Sequence, residues 1–570
     1  MGDFPFAPGL AIEIRLAYSA SAMAVFVPPM SILRKPIHAI QREWRVFKET
    51  VRSPGFRELL LWCLPALILG ALARAALIVH FPYGYFHADT PDFLVTTERL
   101  LNHHALVIHG KKAFLAPICF TIPFLLHIPA LIIIPVVQHL AGLAATVAAG
   151  GIVRCWFRYW RWFIIPITTL YTLNPALLWY EHALLAESHY LFCVTALALA
   201  GTLLVRRPNL RRFVWLIVAL FFTAGSRPEG KLFVAFGLGV VALTYLGDWK
   251  LWARRMAVML ACSVGIWMCS RSTQAGLLLY ATVLPLAPNT STVAPGVEPF
   301  VAPLRTGGFS EERIARTKLN SMERRANDAL HAYLKSVGKN SDDAHVGALG
   351  RKLAIEAMRQ NPQFLLPLAA DKFLLTCRPT PGAHFMDTSG SFTPSWIYDK
   401  QNGALTRRTF MKPLMKGLAG RDLNSDADIE AFLHQEYTPL QPDWFSRLQD
   451  VWSRITLGYQ HHSHGTDKRF IPGWPAFFFV AAAGMVVSLI PRGRLWRFHL
   501  PWLAALLGVW FVVMLTGIVL PRYRFLFEPF CFFYAFLLCD FLWSAIAVLG
   551  NLRRASRPAP TPPVSRPAHS

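Results

Sequence analysis

Long apolar runs separated by short polar breaks dominate the chain, and their lengths predict helices rather than strands. Residues 59–81 form the first run that matches the roughly 20 residues a helix needs to cross a bilayer. An earlier stretch, 16–30, is short for a span and ends in Pro28-Pro29, so it reads as a peripheral or interfacial segment. Residues 113–153 are almost continuously apolar but carry Pro117, Pro123, Pro129 and Pro135, which predicts a kinked or membrane-dipping piece followed by one span. Further spans are expected over 162–180 and 183–205, with Glu181 and His182 in a solvated outward turn between them. Two short halves, 213–224 and 232–246, then flank the polar knot Gly225-Ser226-Arg227-Pro228-Glu229-Gly230-Lys231. Residues 256–284 span again, and 474–490, 500–520 and 525–549 close the series. The count is about ten.

Two intervals break the apolar pattern. After the first span, 93–101 alternate apolar and polar residues as an amphipathic helix lying on the membrane would. Residues 285–472 are a long hydrophilic insertion with helix starts at Ser310-Glu311-Glu312 and Ser341-Asp342-Asp343 and a break at Asn361-Pro362. The expected organisation is therefore a cytoplasmic or interfacial segment (1–57), a transmembrane module (58–284) whose first outer loop is 82–112, an extracytoplasmic mostly helical domain (285–472), closing transmembrane helices (473–549) and a disordered cytoplasmic tail (550–570).

Composition narrows the class. With 54% hydrophobic and only 16% charged residues, the 570-residue chain is too apolar for a soluble globular protein, and its fold class is an all-α polytopic membrane protein. The net charge of +24 does not indicate nucleic acid, because Lys and Arg fall in short clusters between apolar runs. Arg34, Lys35, Arg42, Arg45, Lys48, Arg52 and Arg57 place the N-terminus inside, and positive charge falls on the predicted inner side at each step as far as residue 284. The same charge draws the protein to anionic membrane lipids. The nine cysteines show no disulfide framework.

In this topology four groups of charged residues share the outer face. They are Asp89 and Asp92 in the first loop, Glu181 and Glu187 around the start of a span, Arg227 and Glu229 in the broken hairpin, and Arg522, Arg524 and Glu528 at the last outer turn. Carboxylates beside arginines at one membrane face suit a reaction in which a hydroxyl loses a proton while a lipid phosphate departs. A carboxylate takes the proton, and the bidentate guanidinium stabilises the departing charge.

Asp89-Thr90-Pro91-Asp92-Phe93, the Asn174-Pro175 turn followed by Glu187, Arg227-Pro228-Glu229-Gly230 and Arg522-Tyr523-Arg524 together resemble, in that order, the GT-C superfamily of membrane glycosyltransferases. The bacterial branch similar to protein O-mannosyltransferases and aminoarabinose transferases is the nearest in pattern. The resemblance covers roughly residues 58–260 and 470–548. It implies a GT-C-like fold in a bacterial inner membrane, within the cell envelope, with the active site on the extracytoplasmic face. The donor would be a polyprenyl-phosphate-linked sugar, and the acceptor a hydroxyl of a lipid, glycan or protein. It also implies Asp89 or Asp92 as catalytic base, Arg227, Arg522 and Arg524 as binders of the donor phosphate, and Glu187 and Glu229 as supporting acids. The sequence has Asp89 and Asp92 three apart where the family commonly has an adjacent Asp-Glu pair, so either can be the base.

Structural readings stand beside these. Asp89-Thr90-Pro91 suits a helix start, Asp92 a first-turn acid, Glu187 a partner for a buried Arg, and Arg522 and Arg524 span-end anchors. His461, His462 and His464 lack an acid or Cys at ligand spacing and read as an exposed loop; no cofactor is assigned, although the chemistry allows a divalent metal. The rival function is a transporter or lipid-carrier flippase, which calls for inverted repeats and mid-membrane acids in both halves. A ligase of preassembled glycans would keep the chemistry and enlarge the donor.

Overall fold

The computed structural model describes residues 14–15, 45, 48–85, 90–106, 112–269, 279–281, 283, 291–305, 318–341, 343–366, 414–421, 423, 425–432, 442–457, 474–491, 493–516 and 526–555. The segment 16–30, Asp89, His461, His462, His464, Arg522, Arg524 and the tail beyond 555 lie outside them.

The long apolar runs fold as helices whose starts are written locally. Helix α1 (Pro54–His80) begins with Ser53, whose hydroxyl accepts the Phe56 N–H at 3.2 Å, and with Pro54 in the first turn, where its missing N–H costs nothing. Helix α2 (Thr90–His103) and helix α3 (Leu115–Leu125) follow, and helix α4 (Ala130–Trp156) returns. The expected break inside 113–153 thus falls between α3 and α4, at Leu126 to Pro129. Helix α5 (Trp160–Thr172) stops where Asn174 caps helix α6 (Pro175–His182), its side chain accepting from the Ala176 and Leu177 N–H groups. The stretch expected as one span over 162–180 is therefore two helices, because an Asn-Pro pair satisfies a new helix start better than it continues an old one.

Helix α7 (Glu187–Arg206) leads to α8 (Leu210–Ser226), capped by Asn209. A 3-10 turn (Pro228–Leu232) and α9 (Phe233–Thr244) complete the expected hairpin, and α10 (Trp249–Cys269) follows. Helices α1, α4 and α7 and residues Glu528–Val548 of the last helix are long and apolar enough to cross a membrane. Along α1, Leu61 is 69% and Val79 84% exposed, an outward apolar face that only lipid covers well. The chain is an all-α membrane protein; a two-residue antiparallel pairing of β1 (Ile14–Arg15) with β2 (Ala105–Leu106) is its one short ladder among the described residues.

The insertion divides in two. Helices α11 (Glu298–Arg305), α12 (Lys318–Ser336) and α13 (Asp343–Gln360) pack around Val301, Leu330, Val346 and Leu353 as a core of their own. Helices α14 (Met415–Ala419), α15 (Asp426–Ala431) and α16 (Asp443–Leu457) instead place Leu418 and Phe445 in the core of the transmembrane bundle. Helices α17 (Trp474–Ser488), α18 (Trp496–Thr516) and α19 (Glu528–Ala555) close the fold. Gly484 lets α17 lie directly on the backbone of Tyr534 in α19, where any side chain would collide with its carbonyl.

Candidate functional site

Between α6 and α7 the backbone leaves the helix and stays buried, and its polar groups must find partners away from water. The first loop supplies them. Tyr85 N–H donates to the His182 carbonyl at 2.8 Å, and Leu184 N–H donates to the Tyr85 carbonyl at 2.9 Å. Gly84 N–H donates to the Leu131 carbonyl at 2.6 Å, and beyond the loop the Thr90 hydroxyl donates to the Leu184 carbonyl at 3.1 Å. Tyr85 lies between Phe81 and Trp179, with its ring 4.6 Å from that of His182. Both flanks of Phe86 to Asp89 are thereby fastened to the three residues 182–184.

Behind this fastening lies a buried ionic chain. The Arg74 guanidinium of α1 grips Glu181 with Nε at 2.7 Å and the second nitrogen at 2.8 Å, and its remaining nitrogen donates to the Gly70 carbonyl and to Thr172. Glu181 Oε2 also meets His139 Nδ1 at 2.9 Å. His139 Nε2 meets His182 Nδ1 at 3.0 Å, and His182 Nε2 reaches the Phe81 carbonyl at 2.9 Å. Burial, and then the neighbouring His139, push His182 down to about 3. The expectation that Glu181 is a solvated turn residue is corrected: it is 0% exposed, because α6 turns it inward onto Arg74. Gly142 in α4 makes room for it; a Cβ there would collide with the Glu181 carboxylate.

The hairpin residues also meet their expected neighbours. Arg227 bonds Glu187 at 2.6 Å and Glu229 at 2.5 Å, with the Tyr190 ring 5.9 Å from its guanidinium. This brings together Glu187, Arg227 and Glu229, and it makes Glu187 the partner of a largely buried Arg. Both carboxylates thus share one guanidinium, and Lys231 of the same turn lies close enough to Glu229 to feel its charge. The Ser188 hydroxyl and the Tyr190 hydroxyl nearby are buried without a hydrogen-bond partner among the described residues. Asp92 stands apart, in the first turn of α2, where it faces Lys112 at 3.7 Å.

A further contact ties the last helix to the same layer. Buried Glu528, at the start of α19, accepts from Trp452 of α16 at 2.5 Å and lies 3.5 Å from the Asn174 amide. Among the described residues no group of three or more His, Cys, Asp and Glu is arranged to hold a metal ion.

Sequence reasoning missed Arg74 and His139. The signal was present in both cases, since an ionisable residue inside an apolar run is by default a functional or buried-pair candidate. No protein-family model and no curated protein sequence matches the chain.

Proposed function

We propose that the chain is an inverting glycosyltransferase of the GT-C type, with about ten spans, in a bacterial inner membrane and with its site on the extracytoplasmic face. Asp89 takes the proton from an acceptor hydroxyl. The hydroxyl oxygen forms the bond to the anomeric carbon as the bond from that carbon to the phosphate oxygen breaks, and polyprenyl phosphate leaves into the bilayer. The acceptor is a hydroxyl of an extracytoplasmic lipid, glycan or protein.

The observation that carries this reading is the fastening of both flanks of the Asp89 loop to residues 182–184, a few residues before Glu187 and its partners Arg227 and Glu229. A positioned base beside acids and an arginine is what the chemistry requires. Arg227 is already held by two carboxylates, so it meets a donor phosphate by exchanging one of them. Arg522 and Arg524 are the other candidates for that charge. Asp92, held by Lys112, suits the helix start better than the role of base.

The test is purified protein in liposomes given a panel of polyprenyl-phosphate sugars, with Asp89→Asn as control. The variant is expected to transfer sugar about 10²–10⁴-fold more slowly. Wild-type transfer by a folded Asp89→Asn protein removes the base assignment, and solute movement without donor turnover favours the transporter.

A further inference from the structure

We infer that His139 carries protons on both ring nitrogens and that this imidazolium, set between Glu181 and His182, is the positioning group of the outer loop. The argument is a proton count. Three contacts lie in series: Glu181 Oε2 to His139 Nδ1 at 2.9 Å, His139 Nε2 to His182 Nδ1 at 3.0 Å, and His182 Nε2 to the Phe81 carbonyl at 2.9 Å. Both ends of the series are acceptors, a carboxylate and a carbonyl. Three hydrogen bonds require three protons, and two neutral imidazoles hold only two.

The third proton does not reside on Glu181, because Arg74 engages both of its oxygens and holds it ionised. It belongs to the histidine pair. Of the two rings, His139 touches the carboxylate directly, so the positive charge is best placed there. His182 is then neutral, with its proton on Nε2, from which it donates to the Phe81 carbonyl where the loop begins.

The charges in the cluster are Arg74, Glu181 and one imidazolium, a net single positive charge, with the hydroxyls of Tyr85 and Tyr171 as the other titratable groups facing it. Two helix ends offset that charge. Phe81 is the C-cap of α1, and His182 lies in the last turn of α6, so the carbonyl ends of both helices point their negative poles into the cluster. The extra proton thus links the buried ion pair to the first residue after the first span, and the backbone of the same His182 holds Tyr85. On the glycosyltransferase reading, on which this catalytic consequence rests, His139 and His182 are positioning residues for Asp89.

The experiment uses the full chain in nanodiscs. Nitrogen NMR of histidine-labelled protein at neutral pH is expected to show a doubly protonated imidazole that disappears in His139→Gln. A spectrum in which that variant removes only a neutral ring overturns the inference. Amide exchange at Gly84, Tyr85 and Leu184 is expected to quicken about ten- to hundredfold in His182→Leu, which breaks the series. It should stay near wild type in His182→Gln, whose amide can both accept from His139 and donate to Phe81; equal exchange in the two variants also overturns it. Neither measurement depends on sugar transfer. If no donor sugar is ever transferred, the glycosyltransferase reading falls while the proton count is still decided.

Discussion

Glu181→Gln keeps the size of the side chain and removes its charge, leaving the buried Arg74 guanidinium with neutral partners only, at Gly70, Thr172 and the new amide. Arg74 is 2% and Glu181 0% exposed, so water does not compensate. Breaking a buried pair by removing one member costs about 3–5 kcal/mol. The amide offers one acceptor where the carboxylate offered two, and its NH2 group faces either a guanidinium donor or His139. Replacing both partners, as Arg74→Met with Glu181→Leu, removes the stranded guanidinium and is expected to cost less than the sum of the single changes. Unfolding in mixed detergent micelles, followed by tryptophan fluorescence, measures all four corners of this cycle. A solvated turn glutamate would change stability by no more than ~0.5 kcal/mol. A Glu181→Gln value in that range, or additive single changes, would refute the buried-pair argument.

Other expectations follow from single contacts. Below its ordinary value of 6.5 an unfolded His182 takes up a proton, whereas the folded one resists until about 3, so the contribution of His182 to stability is complete above about 6.5 and is lost as pH drops through that window. The fall attributable to this residue is at most ~1.4 kcal/mol per pH unit, and His182→Gln, measured in parallel, should flatten it. Gly142→Ala forces the Glu181 carboxylate off Arg74 and should cost about 1–3 kcal/mol in the same unfolding assay, with no such cost at Gly265, where a Cβ meets open space. Trp452→Phe removes the N–H given to Glu528 and should loosen α16, seen as faster amide exchange across Asp443–Leu457, by about 1–3 kcal/mol. Glu229→Gln should free Arg227 and lower the donor KM, whereas an unchanged KM would separate Arg227 from the phosphate.

The parts of the fold that were legible in the sequence are those written over a few residues. Ser53-Pro54, Asn174-Pro175 and Asn209 start helices because each side chain caps the amides just after it, and the knot around Arg227 reads as a break because Pro228 and Gly230 interrupt two apolar halves. The meeting of Glu187, Arg227 and Glu229 was foreshadowed by opposite charges at one predicted membrane face. Arg74 and Glu181 were not legible in the same way. They are 107 residues apart, and nothing local in either neighbourhood names the other. Hydropathy made it worse: Arg74 was absorbed into an apolar run, and Glu181 was placed in water because turns between spans usually are. The end of α6 is instead covered by the loop it holds, and the correct environment appears only when α1, α4 and α6 are packed.

That packing explains why the loop after α1 and the segment after α6 depend on each other. From Ala183 to Ala186 the chain is not helical, and although the Leu185 N–H turns back to the Ala183 carbonyl, the Leu184 amide and the carbonyls of His182, Leu184 and Leu185 take partners from other elements. Tyr85 takes two of them, Thr90 a third, and Gln138 donates to the Leu185 carbonyl at 2.8 Å. Two residues later Glu187 receives Arg227. A loop that merely crossed the surface would leave these groups buried and unpaired, at about 1–3 kcal/mol each. The loop is therefore part of the interior on both sides of Phe86 to Asp89, and the segment that its flanks hold runs within two residues into Glu187, which carries Arg227 and Glu229, a stronger basis than a shared membrane face for reading these charges together.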